Sequence, residues 1–180
     1  MNKNINEKGT IIISASPGCG KSYCTKNYQD KFYILDLDSA KYRYIKDKDG
    51  NRTDERNPDF PMNNIKSIKE NIGNADVIFV SNITTVRKAL KDNNLKVIMV
   101  YPDKALKEEF MRRYKERGND ENFIRFLSDN WERFIDEIEE DSDGFLMDKL
   151  TKERSFINLS YLEDLFNDLK NGLLDDWLNY

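Results

Sequence analysis

Apolar residues fall along this chain in two kinds of run. Short, mainly apolar ones stand at 10–16 (TIIISAS), 31–39 (KFYILDLDS), 75–82 (ADVIFVSN), 96–102 (KVIMVYP) and 155–160 (SFINLS). Runs of this length, rich in Ile, Val and Phe, predict five buried strands. Between them the pattern turns helical: KSYCTKNYQD, roughly 62–72, TTVRKALKDNN, DKALKEEFMRRYKERG and the closing YLEDLFNDLKNGLLDDWLNY. Gly118 ends the fourth of these helices. Residues 120–140 carry Phe123, Phe126, Leu127, Trp131, Phe134, Ile135 and Ile138 at helical spacing. That stripe predicts a helix face packed into the core. Strands alternating with helices predict an α/β fold with a parallel sheet covered on both faces. From Lys41 to Asn64 the chain is polar, with turn formers at Gly50, Pro58 and Pro61, and reads as a loop or small insertion.

Composition narrows the chemistry. The chain has 180 residues, room for one domain, and no repeat or linker divides it. Its net charge of −4 argues against a protein that grips nucleic acid by bulk charge, although a local basic pocket is compatible with it. No apolar run approaches the ~20 residues of a membrane helix. The opening MNKNINEKGT lacks the apolar stretch of a secretory signal, so the sequence predicts a cytoplasmic protein, in the host cytoplasm if it is viral. There is no histidine, which removes Ser-His and Cys-His catalysis. The two cysteines, Cys19 and Cys24, are too few for a structural zinc site. Acid–base work falls to Asp, Glu, Lys or Tyr.

The strongest motif follows the first strand. ASPGCGKS (15–22) matches G-x-x-x-x-G-K-[ST], with Ala15 at the first glycine. Strand, glycine-rich loop and helix in that order make an anion cradle: successive N–H groups and a helix N-terminus face the phosphates. Gly18 and Gly20 let the backbone turn and approach closely. Lys21 is expected to reach the β- and γ-phosphates, and Ser22 to hold Mg²⁺. ATP and Mg²⁺ are the expected cofactors. Gly18, Cys19, Gly20, Lys21, Ser22 and Tyr23 are the expected cofactor-binding residues of this loop, and the loop's position is expected to make the Cys19 thiol somewhat acidic.

Other features choose among phosphate-binding classes. There is no N-K-x-D to read guanine, and DKDG (47–50) lies in the polar loop with no strand before it. No apolar strand ends in Asp-Glu, as a motor ATPase would require. Asp36 and Asp38 stand instead at the end of the second predicted strand. Residues two apart in a strand face the same way, so both carboxylates are expected at the crevice where the strands end. One suits the magnesium ion; the other suits proton removal from an attacking hydroxyl. An ordinary turn or N-cap pair is the plainer alternative.

On these residues the chain resembles the P-loop kinases of the nucleoside monophosphate kinase superfamily. Its layout is most similar to the kinase domain of phage-type polynucleotide kinases, over roughly residues 9–135. The resemblance implies a three-layer P-loop NTPase fold, with a five-stranded parallel sheet in the order 2-3-1-4-5 and a helical lid over about 103–140. It implies Asp38 as catalytic base, alongside Lys21, and Asp36 near metal or substrate. Three residues after Asp38, Lys41 stands where the family has an arginine for the acceptor phosphate, keeping charge without the bidentate fork. Ser81 and Asn82 stand where the family has an acidic residue. The lid helix's closing R-G falls on Arg117, with Arg113 one turn earlier, and an arginine there would stabilise charge on the transferring phosphoryl group. The polar insertion 41–64, with Arg56 in RNPDFP, is expected to hold the acceptor, its rings and arginines suiting a base and a phosphate.

The reading that follows is a small kinase moving the γ-phosphate of ATP to a hydroxyl of a nucleoside, a DNA end or a hydroxymethylated DNA base. Two alternatives stay open: a nucleoside monophosphate kinase, and a nucleotide-binding regulator without transfer activity. A nucleotide or nucleic-acid acceptor is the expected partner. No membrane and no obligate protein partner is expected.

Overall fold

The computed structural model describes residues 9–178. The MNKNINEKGT opening therefore lies almost wholly outside the described residues. Five strands form a parallel sheet: β1 (Ile11–Ala15), β2 (Ile34–Asp36), β5 (Val77–Ser81), β6 (Val97–Pro102) and β7 (Phe145–Leu150), in the order β2-β5-β1-β6-β7. Every residue of β1, β5 and β6 is buried, which is why each reads as an unbroken apolar run rather than an alternation. The helices are α1 (Lys21–Asn27), α2 (Met62–Asn71), α3 (Thr84–Asp92), α4 (Lys107–Glu116), α5 (Glu121–Asp129), α6 (Trp131–Glu140), α7 (Leu159–Lys170) and a last turn, α8 (Asp175–Leu178).

One expectation is corrected here. The edge strand is Phe145–Leu150, not 155–160. FLMDKL contains Asp148 and Lys149, which break an apolar run; an edge strand tolerates them because only Phe145 and Leu150, at its ends, are buried. Within the apolar SFINLS, residues 155–157 instead cross beside the glycine-rich loop as irregular chain, the Asn158 side chain caps α7, and the last two residues begin that helix. Counting only the strands of this sheet, the observed order is 2-3-1-4-5, as expected, with Phe145–Leu150 as its fifth member. The polar insertion adds two strands, β3 (Tyr44–Lys46) and β4 (Arg52–Arg56), which pair antiparallel in a separate hairpin. Its turn is built on Asp47, whose Oδ1 accepts from the N–H groups of Asp49 and Asn51.

Register decides what meets at the sheet's carboxyl edge. Ala15 pairs with Ser81 and Asp36 with Phe79, so Asp38, two residues on, comes level with Ser81 and the start of the glycine-rich loop. Chain reversals after β1, β2 and β5 therefore converge. Among the described residues, no helix is long and apolar enough to cross a membrane.

Candidate active site

The glycine-rich loop runs from the end of β1 into α1. Gly18 and Gly20 have φ of 83° and 116°, a region where any Cβ is strained. Space forbids a side chain as well. A Cβ on Gly20 would lie 2.5 Å from the Ile157 carbonyl oxygen, and one on Gly18 would lie 3.1 Å from the rings of Phe110 and Tyr114. The loop is strapped from outside. The Ile157 N–H donates to the Cys19 carbonyl at 2.8 Å, and the Cys24 thiol donates to the Ile157 carbonyl at 3.2 Å. The Tyr114 hydroxyl donates to the Pro17 carbonyl at 2.9 Å. Lys21 folds back, its Nζ donating to the carbonyls of Ala15 and Ser16 at 2.5 and 3.2 Å. Burial lowers its pKa from the ordinary lysine value, while charge on Cys19, Asp38 and Asp36 opposes that fall. An amine so placed gains from an anionic partner more than an exposed lysine does.

Cys19 corrects an expectation. Its thiol is fully buried, and burial pushes its pKa up to about 12, against the pull of Lys21 and Arg113. It packs under the loop and contributes only backbone to it. Cys24 is likewise raised to about 12 by burial.

The two aspartates take different places. The strand ends at Asp36, not beyond it, so the expected alternation does not carry Asp38 along the same face. Asp38 caps a short 3₁₀ turn (Ser39–Lys41), its Oδ1 accepting from Ala40 N–H at 2.9 Å, and it lines the large cavity beside the loop. Among the described residues Oδ2 accepts no hydrogen bond. Asp36 does not line the cavity; its Oδ1 accepts from Asp38 N–H at 3.1 Å and so holds the turn that presents Asp38. Asn64 of α2 donates to Leu37 O at 3.0 Å and braces the same turn. Lys41 points elsewhere, Nζ bonded to the Asp36 carbonyl, and Arg56 sits on the hairpin over the Tyr44 ring, so neither lines the cavity.

A polar seam joins the converging chain ends. Ser81 Oγ–H donates to Ser39 Oγ at 2.6 Å, and Asn82 Nδ2 donates to Ser16 Oγ at 2.6 Å. Arg87 of α3, almost wholly buried, donates to Asn82 O and Glu137 O and pairs with Asp141 at 2.7 Å. Ser81 and Asn82 thus act as neutral links where a carboxylate was expected by resemblance.

The cavity itself measures about 950 Å³. Lys21, Ser22, Asp38, Arg113 and Arg117 all line it. Arg113 is not free to reach a phosphate. It donates to the carbonyls of Gly18 and Ser155 and to Ser155 Oγ, pairs with Glu109, and lies over the rings of Phe110 and Phe156. It ties the foot of α4 to the loop. Arg117, at the end of α4, makes no ion pair among the described residues.

Sequence reasoning missed Arg87 and the far wall. Arg87 stands four after Ile83 and three before Leu90, on the apolar stripe of α3; a charge in that place was the available signal. The aromatic stripe of 120–140 is also corrected. Trp131, Ile135 and Ile138 are buried as expected, but α5 has no buried residue, and Phe123 and Phe126 are 37% and 52% exposed along the cavity.

No protein-family model matches this chain, and no curated protein matches it.

Proposed function

We propose that this protein is an ATP-dependent phosphotransferase of the P-loop type, with a three-layer P-loop fold and a hydroxyl group as acceptor. One observation carries the reading: a glycine-rich strand-to-helix loop, with Lys21 and Ser22, shares a single cavity with the Asp38 carboxylate and with Arg117, which makes no ion pair among the described residues. The loop fits a triphosphate, since both positive-φ glycines stand where a Cβ would be strained and crowded, and Lys21 holds a buried amine against the loop carbonyls. The donor set fits Mg²⁺ rather than a protein-caged metal. No group of three His, Cys, Asp or Glu converges among the described residues, and Mg²⁺ at such sites relies on substrate phosphates and water with one or two protein ligands. Ser22 would supply one of these, and Asp36 stands behind Asp38 rather than on the cavity wall. When bound, the metal would neutralise charge between the β- and γ-phosphates.

In this reading the acceptor oxygen bonds to the γ-phosphorus as the bond to the ADP oxygen breaks. Asp38 takes the hydroxyl proton on its free Oδ2. Lys21 and Arg117 offset charge on the phosphoryl oxygens. A second reading, phosphate transfer to a nucleoside monophosphate, is favoured by Arg43, a cation on the cavity wall near Asp38 that suits an ionised acceptor.

The test is transfer of labelled γ-phosphate to two pools: nucleoside monophosphates, and nucleosides with 5′-hydroxyl DNA and hydroxymethyl-base DNA. Label in the second pool, lost by about 10²-fold or more in Asp38→Asn, supports the hydroxyl reading. Label in diphosphates supports the second. ATP binding with label in neither would make the protein a nucleotide-binding regulator.

A further inference from the structure

We infer that the apolar wall made by α5 and α6 is the subsite for the planar ring of the acceptor, a nucleobase, and that the hairpin insertion does not hold that ring. The inference rests on the phosphotransferase reading above and assigns its acceptor subsite.

The wall is built but uncovered. α5 turns Phe123, Phe126 and Leu127 to one side, yet buries none of them. α6 adds Phe134 to the same cavity, its ring 5.6 Å from that of Phe126 and tilted 59°. Apolar rings left at the mouth of a site are unfavourable in water unless something flat covers them. The wall is continuous with the glycine-rich loop. Tyr114 bonds to Pro17 O through its hydroxyl and meets the Phe123 ring at 6.3 Å, so a ring on α5 shares the space that Lys21 lines. At about 950 Å³ the cavity stands near the top of the range for one ligand, about 300–1,000 Å³, which allows a donor and an acceptor together.

The chemistry of the wall selects a heteroaromatic ring. Rings lie along its length, and Asn82, Thr84 and Glu137 stand around the same cavity. An apolar face with a few polar groups beside it suits a flat body with hydrogen-bonding edges. The donor has rings of its own, Tyr23 and Phe156, 5.4 Å apart beside Ser22. The insertion's rings are engaged otherwise. Both guanidinium groups of Arg52 and Arg56 lie over Tyr44, at 3.9 and 4.6 Å, and the Tyr42 hydroxyl donates to Ser67. None of these four lines the cavity.

Photocrosslinking tests the assignment. The probes are 5-iodo-2′-deoxyuridine, free and within a short single-stranded oligonucleotide, and 2-azido-ATP. The iodouracil is expected to label residues 121–138, to persist in excess ATP, and to fall at least about tenfold in Phe126→Ala, the scale of one lost base–aromatic stack. The azido-ATP is expected to label elsewhere, equally in both proteins. Iodouracil label on 41–64, label abolished by ATP, azido-ATP label on 121–138, or no iodouracil label at all would each overturn the inference. Transfer of γ-phosphate to the acceptor pools, assayed with the same protein, keeps two failures apart. Transfer with label on 41–64 removes only the subsite; ATP binding without transfer removes the kinase reading.

Discussion

Helices α3 and α5 are both nine residues long, both amphipathic, and both border the same cavity. They meet opposite fates. α3 buries Val86, Arg87, Ala89 and Leu90, and its buried arginine ties it to Asp141 just beyond α6. α5 buries no residue fully and rests chiefly on α4, with Phe126 against Phe134 of α6 and its rings toward the cavity. The physical difference lies in what each follows. α3 leaves a central buried strand and returns onto the sheet, as crossover helices do. α5 follows Gly118 and a capped turn at Asp120, two elements away from any strand. Helical periodicity therefore specifies that a face is apolar, and says nothing of whether protein or ligand covers it.

The contrast can be broken in several ways. The largest effect is expected at the polar end of the cavity that both helices border. Lys21→Ala should cut phosphoryl transfer by about 10²–10³-fold, the scale of losing one transition-state donor, with a cooperative unfolding transition retained. Steady-state transfer assays and urea denaturation would check it; full turnover in the variant would remove the phosphate role of the loop.

Next comes a direct comparison of the two helices. Leu90→Ala, in a fully buried place, should cost about 2–5 kcal/mol by urea denaturation. Phe126→Ala should cost less than about 1 kcal/mol, because a half-exposed ring loses little packing. Equal costs would mean that α5 is core after all.

Gly20→Ala tests how tightly the loop is strapped, against the looseness of α5. With φ at 116° and the Ile157 carbonyl 2.5 Å from the new Cβ, it should destabilise by about 1–3 kcal/mol and weaken ATP binding. Calorimetry with and without ATP would read both.

The smallest effect concerns the anchor of α3. Burial would raise the pKa of Asp141, but hydrogen bonds and charge from Arg87 and Lys91 outweigh it and hold the carboxyl below its ordinary 3.8. A depressed carboxyl stabilises the fold above the unfolded value and loses that contribution as pH falls through the folded one. Asp141→Asn should therefore cost about 1–2 kcal/mol at neutral pH, the worth of hydrogen bonds to a charged group, and the gap to wild type should close as pH drops below 3.8. A gap that stays constant into acid would show that the carboxylate charge contributes nothing.

Much of the fold was legible along the chain. Four of the five sheet strands fall within apolar runs; three of them, β1, β5 and β6, are buried at every position, and a strand covered on both faces holds few polar residues. The glycine-rich loop was legible too, since its conformation depends on residues within a few places of one another: Gly18, Gly20 and the helix that begins at Lys21. Two apolar segments near the end could not be ranked by the same rule. SFINLS looks more like a strand than FLMDKL, yet the edge of the sheet accepted the second and the first became the strap over Cys19. Within the site, the loop motif marked Lys21 and Ser22, the strand-end placement and the resemblance marked Asp38, and the resemblance marked Arg117; all four line one cavity. Asp36, Lys41, Arg56 and Arg113 were marked by the same logic and are engaged elsewhere.

What the sequence by itself determined, then, is local: which segments are apolar enough to be strands, where the chain turns left-handed, and which side chains carry charge. Tertiary structure alone decided which carboxylate faces the cavity, that Arg113 braces the loop, that the Cys19 thiol is buried, and that the rings of α5 stay open. Those outcomes depend on register between strands and on contacts between segments tens of residues apart, and a pattern of neighbours along the chain carries no information about either.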